Sequence, residues 1–269
     1  MNRIVLAVAC LAGGLSPALT AAAGEAPGGE PAPKQQAPPM DAAAAEPLLK
    51  QLASEDNAEA AKAADALAEA GRAALPWLVK QTAARNDDLR RRVAGVLGRI
   101  REPEALDALH AMLADKADGV RRQVISAVGQ HGKPESAGKL QEFLLNPNAL
   151  LRLEAVMALG RIRSTQSVPA LNRSCLDDDQ LVRTAAVVAL GLIADKAAIP
   201  ALITGLDDDS ILVRRLAHLV LKKLSGADLG YDPESEGEKR AESVRAWQTW
   251  WKTTGDTGGT TGTQTLKEK

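Results

Sequence analysis

The apolar residues of the chain follow a helical pattern that recurs along the sequence. In residues 180–193 they fall three or four positions apart, the spacing of one buried helical stripe: Val182, Ala185, Ala186, Ala189, Leu190 and Ile193. After a turn at Asp195 comes a second, shorter stripe, made of Ile199, Leu202 and Leu206. Pro200 lies in the first turn of this stripe, where a proline is tolerated. Each unit therefore predicts two helices.

The same unit returns every 31 residues. An arginine that follows an aliphatic residue marks five units: Arg90, Arg121, Arg152, Arg183 and Arg214. A glycine stands eight residues after each of the first four, and small residues at 127, 158 and 189 allow adjacent helices to approach closely. Neither helix of a unit can bury its apolar face alone, so successive units must stack. The pattern predicts an all-α fold, an α-solenoid of stacked antiparallel helix pairs with about 31 residues per repeat.

The segments outside the clearest repeats complete the predicted organisation. We expect a signal peptide over residues 1–23, a Pro/Gly-rich disordered linker over 24–40 and the solenoid over 41–224. Within the solenoid, residues 57–83 form a degenerate unit and residues 42–53 add one more helix. Residues 225–253 form a Trp-rich capping segment, and residues 254–269 a disordered Gly/Thr-rich tail. Val244, Trp247 and Trp251 have helical spacing, which favours a cap; an aromatic ligand cage is the alternative.

The first 23 residues have the three parts of a secretory signal. A basic start at Arg3 precedes an apolar stretch, and Ala21 and Ala23 occupy the small positions before a cleavage site. The predicted location is therefore the periplasm or cell envelope, or the medium after secretion. An uncleaved anchor and lipid anchoring at Cys10 are alternatives. Pro17 interrupts the apolar stretch, and Ala7 stands where a lipobox has leucine, so both are disfavoured.

Residues 177–206 closely resemble a HEAT-like repeat, in the form also found in phycobilisome lyases, and the resemblance extends over about residues 42–224. It implies a ladder of polar pairs that bridges successive turns: Asp115 with Arg121, Asn146 with Arg152, Asp177 with Arg183, and Asp208 with Arg214. Ala84 departs from this pattern before Arg90, so we expect the ladder to weaken there. We also expect its pairs to be exposed and to contribute about 0–1 kcal/mol each. The C-terminal segment is similar to those of exported bacterial HEAT-like proteins.

Composition and charge narrow the possible functions. Aromatic residues make up 2% of the chain, which predicts an aliphatic core. Lys and Arg number 33 against 34 Asp and Glu, so the basic excess of a nucleic-acid binder is absent, and we expect no nucleic-acid partner. This disfavours the DNA-processing role of some HEAT-like proteins. Cleavage of the signal would leave Cys175 as the only cysteine, so no internal disulfide is expected.

Motifs that carry chemistry are missing from the sequence. Cys175 shares its register with Leu113, Leu144 and Leu206, which indicates a core position rather than a nucleophile. None of the three histidines is followed by Glu, as the HEAT-repeat iron hydroxylases require for their metal. The acidic runs 177–179 and 207–209 are better explained by helix capping than by calcium binding. We therefore expect no enzyme activity, no cofactor and no metal.

The remaining functional feature is the surface of the second helices, which usually line the concave side of such arrays. We expect a neutral, mixed row there for a protein or peptide partner: Asp107, His110, Ala111, Gln141, Glu142, Asn172, Arg173, Ile203 and Thr204. The favoured function is a non-enzymatic exported scaffold for protein–protein interaction. The alternative is an accessory protein or lyase-like factor related to phycobilisome lyases; an envelope protein tethered by residues 24–40 is a further one.

Overall fold

Within residues 40–255, which the computed structural model describes, every regular element is a helix. The predicted signal peptide with Cys10, residues 24–39 of the linker and residues 256–269 of the tail lie outside this range. The α-helices are α1 (Ala42–Leu52), α2 (Asn57–Ala70), α3 (Leu75–Gln81), α4 (Asp87–Arg99), α5 (Pro103–Met112), α6 (Asp118–His131), α7 (Ala137–Gln141), α8 (Ala149–Ile162), α9 (Val168–Ser174), α10 (Gln180–Ile193), α11 (Ile199–Gly205), α12 (Ile211–Ser225) and α13 (Gly237–Thr254). Short 3-10 segments adjoin the second helices at Gly71–Ala74, Pro134–Ser136, Glu142–Leu145, Thr165–Ser167 and Lys196–Ala198.

The first helices of the repeats, α4, α6, α8, α10 and α12, stack one on the next, and each packs on a neighbouring second helix. Side chains of the loops set where they begin: Asn86, Asn148 and Asp179 each accept hydrogen bonds from backbone N–H groups of the following turn. At the other end, α6, α8 and α10 finish in a left-handed residue, which is Gly132, Arg163 or Ala194. The predicted helix pairs and their order are thereby confirmed.

The repeated glycines mark the closest contacts between first helices. A Cβ atom placed on Gly98, Gly129 or Gly160 would lie 2.7, 2.7 or 2.9 Å from the Cβ of the alanine on the next first helix. Those alanines are Ala127, Ala158 and Ala189. The close approach predicted from the sequence is confirmed, and the core around it is aliphatic, with Leu97, Leu159 and Leu190 fully buried.

Both ends of the array are covered. At the N-terminal end, α1 packs on α2, and the indole Nε1 of Trp77 donates to the carbonyl of Met40 at 2.9 Å. At the C-terminal end, α13 packs on α11 and buries Trp247 completely. The hydroxyl of Tyr231 donates to the carbonyl of Leu206. The predicted Trp-rich cap is therefore present, and Trp247 has no ring face left for the ligand cage considered as its alternative.

Candidate functional site

The arginines of the repeat form a ladder along the loops that precede the first helices. Arg90 donates from Nε and Nη2 to both carboxylate oxygens of Asp115, at 2.6 and 2.9 Å, and from Nη1 to the carbonyl of Ala84 at 2.8 Å. Arg152 with Asp177 and Arg183 with Asp208 repeat this geometry. Each guanidinium thus fixes its own loop and the loop of the following repeat, which sets the spacing between repeats.

The ladder corrects three expectations. The predicted pairs of side chains six residues apart are wrong, because Arg152, Arg183 and Arg214 contact only the backbone carbonyls at those positions. The other two corrections concern the N-terminal end. Ala84 does not weaken it, because only the backbone carbonyl at this position takes part and the carboxylate comes from the next repeat. The pairs are also not exposed: the side chains of Arg90 and Asp115 are 5% and 8% exposed. Hydrogen bonding to Arg90 lowers the pKa of Asp115 and raises that of Arg90, so this pair stays ionised.

The ladder is interrupted one repeat later. Asn146 stands where the repeats before and after it have Asp115 and Asp177, and Arg121 turns back to Asp118 on its own helix. The Nε of Arg121 is buried and has no hydrogen-bond partner within residues 40–255. At the C-terminal end, Arg214 of α12 donates to the carbonyl of Pro233. This hydrogen bond joins α12 to the cap. Four of the five arginines therefore link their loop to the segment that follows.

The predicted partner row divides into two sets. His110 Nε2 lies 2.9 Å from the hydroxyl of Ser136, Gln141 Nε2 donates to Ser167 Oγ at 3.3 Å, and Asn172 Nδ2 donates to the carbonyl of Ala197 at 3.0 Å. These three side chains therefore bridge neighbouring second helices. Sequence reasoning missed the buried serines, although they share one register, 31 residues apart.

Ile203 was expected to face outward, and this is wrong. Its side chain is 4% exposed, because α11, the helix that carries it, lies under the C-terminal cap. The rest of the row is exposed along four successive second helices, with Glu142 in the 3-10 segment directly after α7, and is called here the second-helix face: Asp107, Ala111, Glu142, Arg173 and Thr204. Asp107, Glu142 and Arg173 make no ion pair within residues 40–255.

Two side chains with reactive groups, Cys175 and His131, lie buried in the core. Cys175 is 3% exposed, and burial raises the pKa of its thiol to about 12, so it is a protonated core residue. His131 is buried, with Nε2 3.1 Å from the carbonyl of Leu97. Across residues 40–255, no group of three His, Cys, Asp or Glu side chains is placed to hold a metal ion. Every helix in this range is too short or too polar to span a bilayer.

The acidic runs have mixed roles. Asp179 caps α10, as predicted. Asp177 and Asp208 accept hydrogen bonds both from ladder arginines and from the backbone N–H groups of Asp179 and Ser210. An open cleft of about 450 Å³ lies between the 3-10 segments Pro134–Ser136 and Thr165–Ser167. It is lined by Pro134, Glu135, Arg163, Ser164, Thr165 and Gln166. It is shallow and contains charges of both signs. The continuous feature of the surface is therefore the second-helix face.

A chain of helix pairs stacked at constant spacing defines the class of α-helical repeat proteins. The family model for HEAT repeats matches residues 45–129, 75–152 and 139–222, and the protein belongs to the HEAT repeat family. A comparison with curated protein sequences gives no match. Among solved structures, YibA of E. coli is 21% identical with a TM-score of 0.56, over 66% of this chain and 69% of that one.

Two further solved structures are similar at a lower level. The complex of CpcE and CpcF of phycocyanin lyase from Nostoc sp. PCC7120 is 18% identical with a TM-score of 0.48, over 86% of this chain and 95% of that one. A designed armadillo repeat protein in complex with the peptide (KR)4 is 19% identical with a TM-score of 0.48, over 67% of this chain and 99% of that one.

Proposed function

We propose that this protein is a non-enzymatic, exported scaffold that binds a protein or peptide partner through the second-helix face. The observation that carries the proposal is the continuity of this face over four repeats. Its charged side chains, Asp107, Glu142 and Arg173, are exposed and make no ion pair within residues 40–255. The fold does not use them, so they are free to contact a partner.

The groups beneath the face support this role. The hydrogen bonds from His110, Gln141 and Asn172 and the arginine ladder fix the spacing of the helices, so little ordering is needed on binding. Glu142 and Arg173 occupy equivalent positions on neighbouring second helices, about 8–10 Å apart by the usual packing distance. Opposite charges at this spacing favour an extended partner with charges of both signs.

Site-specific photo-crosslinking in the native cell envelope tests the proposal. A photoreactive residue at position 142 or 173 is expected to capture the same partner, whereas one at Gln130, exposed on a first helix, captures none. The charge reversals Glu142→Lys and Arg173→Glu should weaken capture about tenfold each. Capture that is unchanged by both reversals, or equal from position 130, contradicts the proposed face.

Export is tested separately. It is supported by the signal-like residues 1–23, which precede the described part of the chain. Cell fractionation is expected to find the protein outside the cytoplasm, with Gly24 as the first residue of the mature chain. A cytoplasmic protein that begins at Met1 would contradict export but would leave the proposed binding face untouched.

A further inference from the structure

Four leucines are exposed beside two loops that precede first helices, and two of them, Leu145 and Leu176, follow Glu142 and Arg173 of the second-helix face by three residues. Leu145 is 86% and Leu176 68% exposed, each at the end of a second-helix region; Leu150 and Leu181 are 52% and 59% exposed, each in the first turn of the next first helix. We call these four residues the leucine edge. They flank two successive loops of the ladder, one on each side of Asn146–Asn148 and of Asp177–Asp179.

The fold does not require leucine at these positions. In the preceding repeat the equivalent residues are Ala114 and Gly119, both exposed. In the following repeat Asp207 replaces the first leucine of each pair. Leu212 keeps a leucine at the second position and is half-buried there, so a pair of exposed leucines flanks these two loops but not the loops before and after them. Large apolar side chains grouped on a surface mark an interaction site.

The loops that carry the leucine edge are rigidly held. Arg152 joins the two loops through two hydrogen bonds to Asp177, at 2.8 Å each, and through a third to the carbonyl of Asn146. Equivalent residues of adjacent repeats are about 8–10 Å apart. This matches apolar residues seven positions apart on a helix, about 10 Å along its axis.

The charge around the edge selects the kind of partner. Arg152 and Arg183 are paired with Asp177 and Asp208, but Asp178 and Asp209 are exposed and make no ion pair within residues 40–255. An anionic lipid surface would be repelled by these carboxylates, and a second copy in a two-fold interface would present the same acidic loops. A segment with lysines or arginines beside its apolar residues complements both features.

We propose that the leucine edge is a docking site for a cationic amphipathic segment of a partner protein. The segment lays apolar residues on the four leucines and its basic residues against Asp178 and Asp209. The leucine edge adjoins the second-helix face but is made of other residues, so its own leucine variants test it apart from the charge reversals at Glu142 and Arg173.

Binding of labelled synthetic helical peptides to the full chain tests the proposal. A peptide with leucine every seventh position and lysine on its flanks should bind with single-site saturation. Replacing its lysines by glutamate, or its leucines by serine, should weaken binding about tenfold. The protein variant Leu145→Ser/Leu176→Ser should lose about tenfold in affinity, and Asp178→Asn/Asp209→Asn about threefold.

The matched control is Leu192→Ser, an exposed leucine near the opposite end of α10, which should bind the peptide like the wild type. The proposal is overturned if Leu145→Ser/Leu176→Ser folds normally and binds unchanged, or if the glutamate peptide binds equally well. It is also overturned if the double leucine variant abolishes a dimer seen by sedimentation or binding to anionic vesicles. Tighter peptide binding after removal of residues 256–269 would make the chain's own end the occupant.

Discussion

At the scale of single residues, the stacking of first helices depends on one missing carbon atom per repeat. Gly129 faces Ala158, and a Cβ on Gly129 would lie 2.7 Å from the Ala158 Cβ and 2.8 Å from its Cα. The second of these atoms belongs to the backbone, which cannot rotate away. An alanine at position 129 therefore forces the two helices apart.

We expect Gly129→Ala to lower the free energy of unfolding by about 1–3 kcal/mol, the usual cost of overpacking a core. Urea unfolding followed by circular dichroism measures it. Gly138→Ala is the matched control, because a Cβ there meets no atom within 4 Å and Gly138 lies in an exposed turn of α7. The free energy of unfolding of this control should rise by up to about 1 kcal/mol. Equal losses in both variants would refute the steric argument.

A buried histidine makes stability depend on pH. Burial lowers the pKa of His131, so its ring is neutral in the folded protein. In the unfolded chain a histidine has a pKa of about 6.5. Between the lowered folded pKa and about 6.5 the unfolded chain binds more protons, so this contribution to stability is complete above about pH 6.5 and is lost on acidification.

We expect His131→Ile, which places here the residue found at positions 100, 162 and 193, to reduce the fall in thermal midpoint between about pH 8 and about pH 5. At the higher pH the histidine and the isoleucine side chains are both uncharged. The difference in thermal midpoint between variant and wild type at that pH therefore reports packing alone. The pKa of Asp115 is lowered, and its loss of charge therefore follows at a more acidic pH. A pH dependence identical in both proteins would contradict this role of His131.

At the scale of the element, the loops of Arg90, Arg152 and Arg183 are each held by a carboxylate that the next repeat supplies. Asn146 breaks this arrangement, since an amide offers one acceptor oxygen where Arg152 and Arg183 find two on Asp177 and Asp208. Arg121 is left with a buried, unpartnered Nε. The junction between the repeats that begin with α6 and α8 therefore lacks a ladder ion pair, and Asn148 Nδ2, which donates to Asp118 at 2.6 Å, bridges it instead.

Restoring the carboxylate should strengthen this junction. We expect Asn146→Asp to raise the free energy of unfolding by about 1 kcal/mol, the gain of a charge-assisted pair that is partly exposed. The gain should be present above about pH 4, the pKa of aspartate in an unfolded chain, and should vanish as the pH falls through the lowered folded pKa. Chemical denaturation at about pH 7 measures the gain in unfolding free energy, and the same measurement at about pH 3 shows whether the gain is lost.

The opposite change is the control for this prediction. Asp177→Asn removes the acceptor pair from Arg152 and should destabilise the protein at neutral pH. An Asn146→Asp protein that is less stable than the wild type would mean that Arg121 cannot reach its new partner, because the ion pair with Asp118 holds it back.

The sequence predicted the helices and their buried positions better than it predicted which side chains are exposed. Periodicity reports which side chains are buried in every repeat, so the helix pairs, the glycine contacts and the core position of Cys175 could be read from it. It does not report which repeat lies under the C-terminal cap, which is why Ile203 was misplaced. It also does not show whether a polar side chain faces water or the neighbouring helix, as with His110 and Asn172.

At the scale of the whole molecule, contacts run between neighbouring repeats. First helices touch the first helices before and after them, and α13 reaches α11. The stability of such an array is approximately a sum of repeat and interface contributions, so a local defect is felt locally. The buried Trp247 provides a test, because it belongs to the cap and lies at one end of the array.

Trp247→Ala removes a fully buried indole and should cost about 3–5 kcal/mol of packing at the C-terminal end. Amide hydrogen exchange is expected to become faster in α11, α12 and α13 while α2–α6 keep the protection of the wild type. Trp250→Ala is the control: this indole is half-buried and touches Trp247 edge to face at 5.5 Å, so its loss should change exchange less. Faster exchange spread evenly from α2 to α13 would mean that the repeats unfold as one cooperative unit, and the nearest-neighbour description of this solenoid would be wrong.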